Sequence, residues 1–321
     1  MGCHQSKETT VSKSEFQISE ISNQSTNDRY PPAVIQQPGK EELNFYLHIK
    51  NEKKLACSLV CPFVIDASLN LEEKLTSLSS DDKKGKVIII CHGFLSWRNQ
   101  LLLANLASGL SNQLSCFTLR FDFTACGQSS GLWRFSNYEE DFLDLCHVTK
   151  FAQSVLNLDI TCIIGHSQGS AAIIRHASNQ SVDHGSVYVN LAGRYKEAYD
   201  FKPESIFSPK QYEQLEKEGK CMWSLGMHEN LLIKAEDVES KKIYDITKYA
   251  KHIPDYVKVL TIHGTDDRIV PVENAFKFDK LIQSHFLSLI PGCDHNFNGL
   301  IHMDTLVTKI SEFINVEGMV R

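Results

Sequence analysis

Five consecutive residues in this 321-residue chain, Gly165-His166-Ser167-Gln168-Gly169, set a hydroxyl between two glycines. An apolar run, Asp159-Ile160-Thr161-Cys162-Ile163-Ile164, comes before them, and Ser170-Ala171-Ala172-Ile173-Ile174-Arg175-His176-Ala177 comes after. The first run predicts a buried strand and the second a helix with small residues on its first turn. G-x-S-x-G at such a junction is a nucleophile elbow. Small flanking residues let strand and helix approach, and the tight, strained turn holds Ser167 Oγ in a cleft. The next backbone N–H, that of Gln168, is left at the helix N-terminus to receive an oxyanion. A second donor is on offer where Val87-Ile88-Ile89-Ile90-Cys91 runs into His92-Gly93-Phe94. Gly93 permits close backbone approach there, and the N–H of Phe94 can point at the same oxygen. His295 supplies an imidazole that can take and return a proton near neutrality. Asp266 and Asp267 stand side by side as candidates for the acid that fixes its tautomer. His92 and His166 flank the elbow and are expected to pack or hydrogen-bond there, not to act as base. Asp122 is expected to tie down its own loop through backbone N–H groups.

The elements that must position these groups alternate. Val87 to Cys91, Ser115 to Phe123, Asp159 to Ile164, Ser186 to Leu191, Val257 to His263 and Phe286 to Ile290 all have strand character. Gln100 to Gln113, Asn137 to Leu156 and Leu306 to Phe313 carry apolar residues at helical spacing, and the elbow helix lies between. This rhythm predicts an α/β fold, a mostly parallel central sheet flanked by helices. Leu43 to Lys50 and Leu55 to Phe63, around Asn51-Glu52-Lys53-Lys54, predict a β-hairpin at the start of the sheet. Asp66 to Lys86, charged and serine-rich, predicts an exposed connecting loop. Residues 194–253 break the alternation. They hold a helical piece from Pro209 to Lys220, N-capped by Ser208, and an apolar cluster around Met222, Trp223 and Leu231. Little strand character is evident there, and the segment predicts an inserted helical cap whose cluster is mostly the cap's own core.

A net charge of −6 argues against a nucleic-acid binder. No run of about 18–20 apolar residues could span a bilayer. The ten cysteines form no C-x-x-C pair, and several sit in apolar runs, as reduced packed thiols do. His and Cys never cluster at ligand spacing, so no metal is expected. No Gly-rich phosphate loop follows a strand, and no cofactor is expected. Met1-Gly2-Cys3-His4-Gln5-Ser6 fits the N-myristoylation pattern, with Cys3 placed to carry a second, palmitoyl chain. Residues up to about Lys40 are polar, without apolar periodicity, and predict a disordered tether, with the main domain over 41–321. The expected location is the cytoplasm, at the cytosolic face of a membrane if both sites are acylated.

Ser167, then an aspartate after a later strand, then His295 after the last strand is the chain order of an α/β-hydrolase triad. On His92-Gly93-Phe94, Arg120-Phe121-Asp122-Phe123, the elbow, His263 to Pro271 and Gly292 to His295, the chain resembles the α/β-hydrolase superfamily. Within it, the likeness is to the esterase and serine-aminopeptidase group that includes feruloyl-type esterases, and it covers about Val87 to Phe313. The resemblance implies a G-x-x-D…V-P pattern that selects Asp267 as the acid, with Asp266 the alternative. It also implies a serine hydrolase of carboxylic esters, lipid or acyl-thioester substrates included, working through an acyl-enzyme on Ser167. A ligand-binding protein on the same scaffold, a serine peptidase and an acyltransferase stay open as alternatives. One departure is Ala125, where relatives carry the glycine of a G-x-G-x-S turn; Gly127 and Ser129 remain.

Overall fold

The computed structural model describes residues 16–21, 40–49, 53–78, 84–179, 187–195, 202–226 and 228–317. In chain order the elements are β1 (Gln17–Glu20), β2 (Glu41–Ile49), β3 (Lys53–Cys61), α1 (Leu71–Leu78), β4 (Gly85–Cys91), α2 (Leu101–Leu114), β5 (Phe117–Phe121) and α3 (Tyr138–Ser154). There follow β6 (Leu158–His166), α4 (Gly169–Ser178), β7 (Val187–Leu191), α5 (Pro203–Ile206), α6 (Pro209–Glu218), β8 (Lys220–Leu225) and β9 (His228–Lys234). The last are α7 (Ala235–Ile243), α8 (Thr247–Ala250), β10 (Lys258–Gly264), α9 (Glu273–Asp279), β11 (His285–Ile290) and α10 (Leu300–Glu317).

Nine strands make one sheet in the order β1-β2-β3-β5-β4-β6-β7-β10-β11. From β5 to β11 every neighbouring pair is parallel, and β1, β2 and β3 add an antiparallel edge. The continuous apolar run of β4 is explained by its position at the centre. Val87, Ile89 and Cys91 face a cluster with Leu145, Phe151 and Ile173 from α3 and α4. Ile88 and Ile90, pointing the other way, face Leu103 and Leu106 of α2 and Ile310 of α10. From β4 the chain first adds β5 on one side and then β6 on the other. The crevice at the carboxyl ends of β4 and β6 is therefore a topological switch point.

Three expectations need correction. The stretch from Asp66 to Lys86 is not only a loop, since it contains α1. There Asn70 Oδ1 accepts from the Glu73 N–H at 3.0 Å and Glu73 Oε2 accepts from the Asn70 N–H at 2.8 Å, a reciprocal cap. Leu71, Leu75 and Leu78 turn one face inward, with Leu75 buried. The cap is not all helical, because β8 and β9 pair as an antiparallel hairpin. Cys221 and Trp223 point inward while Lys220, Met222 and Ser224 are exposed, a period of two that lapses at exposed Leu225, where the register shifts. Finally, residues 16–21 of the expected tether lie on the sheet. β1 pairs with β2, and buried Phe16 meets the Phe151 ring edge-on at 5.8 Å. The other expected elements are present, including the first hairpin (β2 and β3) and the Ser208 cap of α6, a capping box closed by Gln211.

Candidate active site

The elbow is built by steric exclusion. Ser167 follows β6 at φ 52°, a left-handed conformation costing about 1–3 kcal/mol in a non-glycine residue. A Cβ on Gly165 would lie 2.5 Å from the Gly169 carbonyl oxygen, and one on Gly169 would lie 2.5 Å from that of His92. Only hydrogen fits at either place. The Ser167 N–H donates to the Leu191 carbonyl at 2.8 Å, and Ser170 Oγ donates to the Gly165 carbonyl at 2.7 Å. These bonds hold the turn against the end of β7 and against its own helix.

His295 and Asp267 come from the loops after β11 and β10. His295 Nδ1 donates to Asp267 Oδ2 at 2.7 Å. The other oxygen of Asp267 accepts the N–H groups of Ile269 and Val270, each at 2.8 Å. Asp267 is buried, whereas Asp266 is exposed and within hydrogen-bond reach of Thr265 Oγ1 at 3.2 Å. Of the two neighbouring aspartates it is thus Asp267 that meets the histidine. His263, at the end of β10, adds a contact that its sequence position does not announce. Its Nε2 donates to the Val270 carbonyl at 2.8 Å and lies 3.1 Å from Asp267 Oδ2. Burial alone would raise the Asp267 pKa, but hydrogen bonds from His263 and His295 outweigh it and hold the carboxyl below the ordinary carboxylate range. The pair is fastened to the elbow by His166, whose Nε2 donates to the His295 carbonyl at 2.9 Å with the two rings 4.9 Å apart. Burial, with His295 alongside, lowers the His166 pKa to about 3, so this ring is a neutral strut.

Across the cleft stands the β4 loop. His92 Nε2 accepts the Phe123 N–H at 2.9 Å while its Nδ1 donates to the Gly93 carbonyl at 2.8 Å. Burial lowers its pKa as well, and it serves as a brace between two loops. A Cβ on Gly93 would come within 3.0 Å of the Ser167 Cβ, so this loop runs directly beside the serine. Gly93, Phe94, Trp133, Asp141 and Gln168 line one cleft. The Phe94 ring packs on Phe135 at 5.5 Å, Trp133 at 6.1 Å and Trp223 at 6.5 Å, seating the cap. Trp223 itself is buried in the cap's core with Phe207, Leu215 and Ile233, but Met222, Leu225 and Leu232 of the expected cluster are exposed, so less of it is core than its composition suggests. Asp122 does tie its loop, accepting the Arg98 N–H at 2.6 Å and the Gln128 N–H at 2.9 Å beside the Arg98 guanidinium. Ala125 takes φ 59°, the left-handed value a glycine would favour, and keeps the turn through a bond to the Ser130 carbonyl.

Two further polar groups at the elbow were not singled out from sequence. Asp141 of α3 and Lys241 of α7 both reach the Gln168 side chain. No local pattern marks either; an acidic residue in the first turn of a helix and a lysine in the last turn are ordinary surface features.

A mostly parallel sheet covered on both faces, with a left-handed serine at its switch point, defines a hydrolase-type scaffold. The model of the alpha/beta hydrolase family matches residues 88–307, and this chain belongs to that family. An uncharacterised protein of Saccharomyces cerevisiae is 26% identical over 271 residues, spanning 74% of this chain and 79% of its own length. Among solved structures, Est1E from Butyrivibrio proteoclasticus with ferulic acid bound superposes with a TM-score of 0.62 at 20% identity, covering 83% of this chain and 96% of that one. A Pyrococcus furiosus esterase gives a TM-score of 0.61 at 17% identity, covering 90% and 97%. Alpha/beta hydrolase domain-containing protein 10 from mouse gives 0.60 at 19%, covering 85% and 98%.

Proposed function

We propose that the chain is a serine hydrolase of carboxylic esters that works through an acyl-enzyme on Ser167. One observation carries this reading: an imidazole held by a buried carboxylate, His295 on Asp267, is tied through His166 to the elbow that holds Ser167 in a left-handed conformation. In this scheme Ser167 Oγ attacks the ester carbonyl while His295 Nε2 takes its proton. The charge that develops on the carbonyl oxygen is met by the N–H groups of Phe94 and Gln168. The tetrahedral adduct collapses, His295 returns the proton to the departing alkoxide, and the alcohol leaves an acyl ester on Ser167. Water, deprotonated by the same histidine, then releases the acid and restores the hydroxyl. Asp267 stays ionised throughout, keeping the proton on Nδ1 and stabilising the imidazolium.

The esterase structures named above add support for an ester substrate. The aromatic wall formed by Phe94 and Trp133 suits an apolar acyl group, each buried CH₂ contributing about 0.8 kcal/mol. The test is turnover of aryl esters from acetyl to octanoyl. Wild type is expected to gain in kcat/KM with chain length, and Ser167→Ala to lose about 10⁵–10⁶ in kcat. A steady fall from acetyl to octanoyl contradicts the apolar pocket. Binding without turnover by wild type contradicts the enzyme and favours a ligand-binding scaffold.

We further propose that Gly2 and Cys3 carry acyl chains that hold the protein at the cytosolic face of a membrane. The support is the sequence pattern alone; both residues lie outside the described ones. Two chains are invoked because one gives only marginal, reversible attachment.

A further inference from the structure

Lys241 is 6% exposed, unusual for a lysine, and it sits on the cap, not on the sheet. Its ammonium donates to the Tyr138 hydroxyl at 3.1 Å and to Gln168 Oε1 at 3.3 Å. It also lies over the rings of Phe94, Tyr138 and Phe135, at 4.8, 5.1 and 5.4 Å from their centroids. The other end of the same amide is held as firmly. Gln168 Nε2 donates to Asp141 Oδ2 at 3.0 Å, and Asp141 is 4% exposed. An ammonium only donates, so it fixes which end of the amide faces the cap. The Gln168 side chain is thereby gripped from the cap on one side and from α3 on the other.

This grip costs more than seating a cap requires. Aromatic packing of Phe94 and Phe135 on Trp223 already joins cap to core, and a buried ammonium is expensive beside apolar packing of similar size. What the charged contact adds is a fixed position for the residue that follows Ser167. Holding both ends of its amide adds a side-chain restraint to a Gln168 backbone whose carbonyl already accepts the Ala171 N–H at 2.9 Å.

We propose that Lys241 and Asp141 are positioning residues that clamp the Gln168 side chain, so that its N–H is aligned for the oxyanion only when the cap is docked. The proposal rests on the serine-hydrolase reading and deepens it, making cap docking a condition for chemistry. The clamp also has a pH signature. Burial, with the Asp144 and Glu140 charges, raises the Asp141 pKa to about 8 against the Gln168 hydrogen bond and the Lys241 ammonium. The groups that face Asp141 electrostatically are Glu140 and Asp144 on its own helix, Lys241 on the cap, Tyr244 just beyond α7, and the thiols of Cys91 and Cys126. Asp141 is therefore largely protonated at pH 7. Above about pH 8 it becomes a carboxylate behind the oxyanion donor, and opposes the charge that develops there.

The test compares kcat and KM for one aryl ester across pH 6–10 in the full chain. The forms are wild type, Lys241→Met, Lys241→Arg, Asp141→Leu and Asp141→Asn, each checked for an intact melting transition. Lys241→Met is expected to lower kcat about 10–100-fold with KM within about threefold, the pattern of an interaction realised in the transition state. Lys241→Arg should recover most of the loss. Wild-type kcat should fall above about pH 8; Asp141→Leu should lose about tenfold in kcat, Asp141→Asn should recover most of that, and neither variant should show the alkaline fall. Unchanged kcat in folded Lys241→Met, or an alkaline fall that persists in Asp141→Asn, overturns the clamp. If Lys241→Met does not fold, the Lys241→Arg rates and the Asp141→Asn profile decide. Failure of the underlying reading looks different: wild type itself neither turns over the ester nor reacts at Ser167.

Discussion

At the scale of single residues, the site depends on groups whose freedom is removed by their neighbours. Ser167 is held at φ 52° between glycines that nothing larger can replace, and His295 is held by one carboxylate oxygen while backbone N–H groups hold the other. This geometry separates the two adjacent aspartates. Asp267→Asn is expected to lower kcat by about 10⁴ through the wrong imidazole tautomer, and exposed Asp266→Asn to leave it within a few-fold. Steady-state kinetics on the two variants check this, and a larger loss at Asp266 would reverse the assignment. Ser167 and His295 were legible as candidates from short motifs, whereas Asp267 was separated from its neighbour Asp266 only by what the resemblance implies. His263, Asp141 and Lys241 were not legible. Their roles arise from contacts across 4, 27 and 73 positions of chain, and only the first lies within reach of a motif.

At the scale of elements, α3 carries an internal tension. It points Asp141 and Asp144 into the protein one turn apart, and burial pushes the second carboxyl up to about 6 despite its ion pair with Lys53. A carboxyl whose folded pKa lies above its unfolded value stabilises the fold less as pH rises. For Asp141 that loss begins near the ordinary value of 3.8 and is complete above about 8. Asp141→Asn removes the titration. The stability difference, variant minus wild type, is expected to grow between pH 5 and pH 8, by at most about 1.4 kcal/mol per pH unit, and then to level off. Denaturant unfolding of both proteins at several pH values measures it, and a difference that does not change with pH contradicts the buried neutral acid. The central strands were legible as elements because β4 and β6 are apolar on both faces. The cap hairpin and α1 were not. In each, burial is confined to a few positions, Cys221 and Trp223 in β8 and Leu75 in α1, too few to impose a period on their charged surroundings.

At the scale of the whole molecule, four strand ends converge on one crevice, so the loops after β4, β6, β10 and β11 deliver groups far apart in sequence to the same place. The docking of β1 bears on the proposed anchor, because Phe16 is fixed to the sheet and only the residues before it remain to join core to lipid. Among the described residues no helix is long and apolar enough to cross a membrane. In cells able to acylate both sites, wild type is expected to sediment with membranes, Cys3→Ser to bind weakly and Gly2→Ala to be soluble. Equal solubility of the three forms contradicts the anchor. The central claim, a nucleophile at Ser167 activated by His295, is independent of the anchor and meets its most direct test in covalent labelling. A fluorophosphonate probe is expected to modify the native protein at Ser167, to react far more slowly with His295→Ala, and to leave Ser167→Ala unlabelled. Folded wild-type protein that takes up no probe, or label that persists in Ser167→Ala, would contradict it.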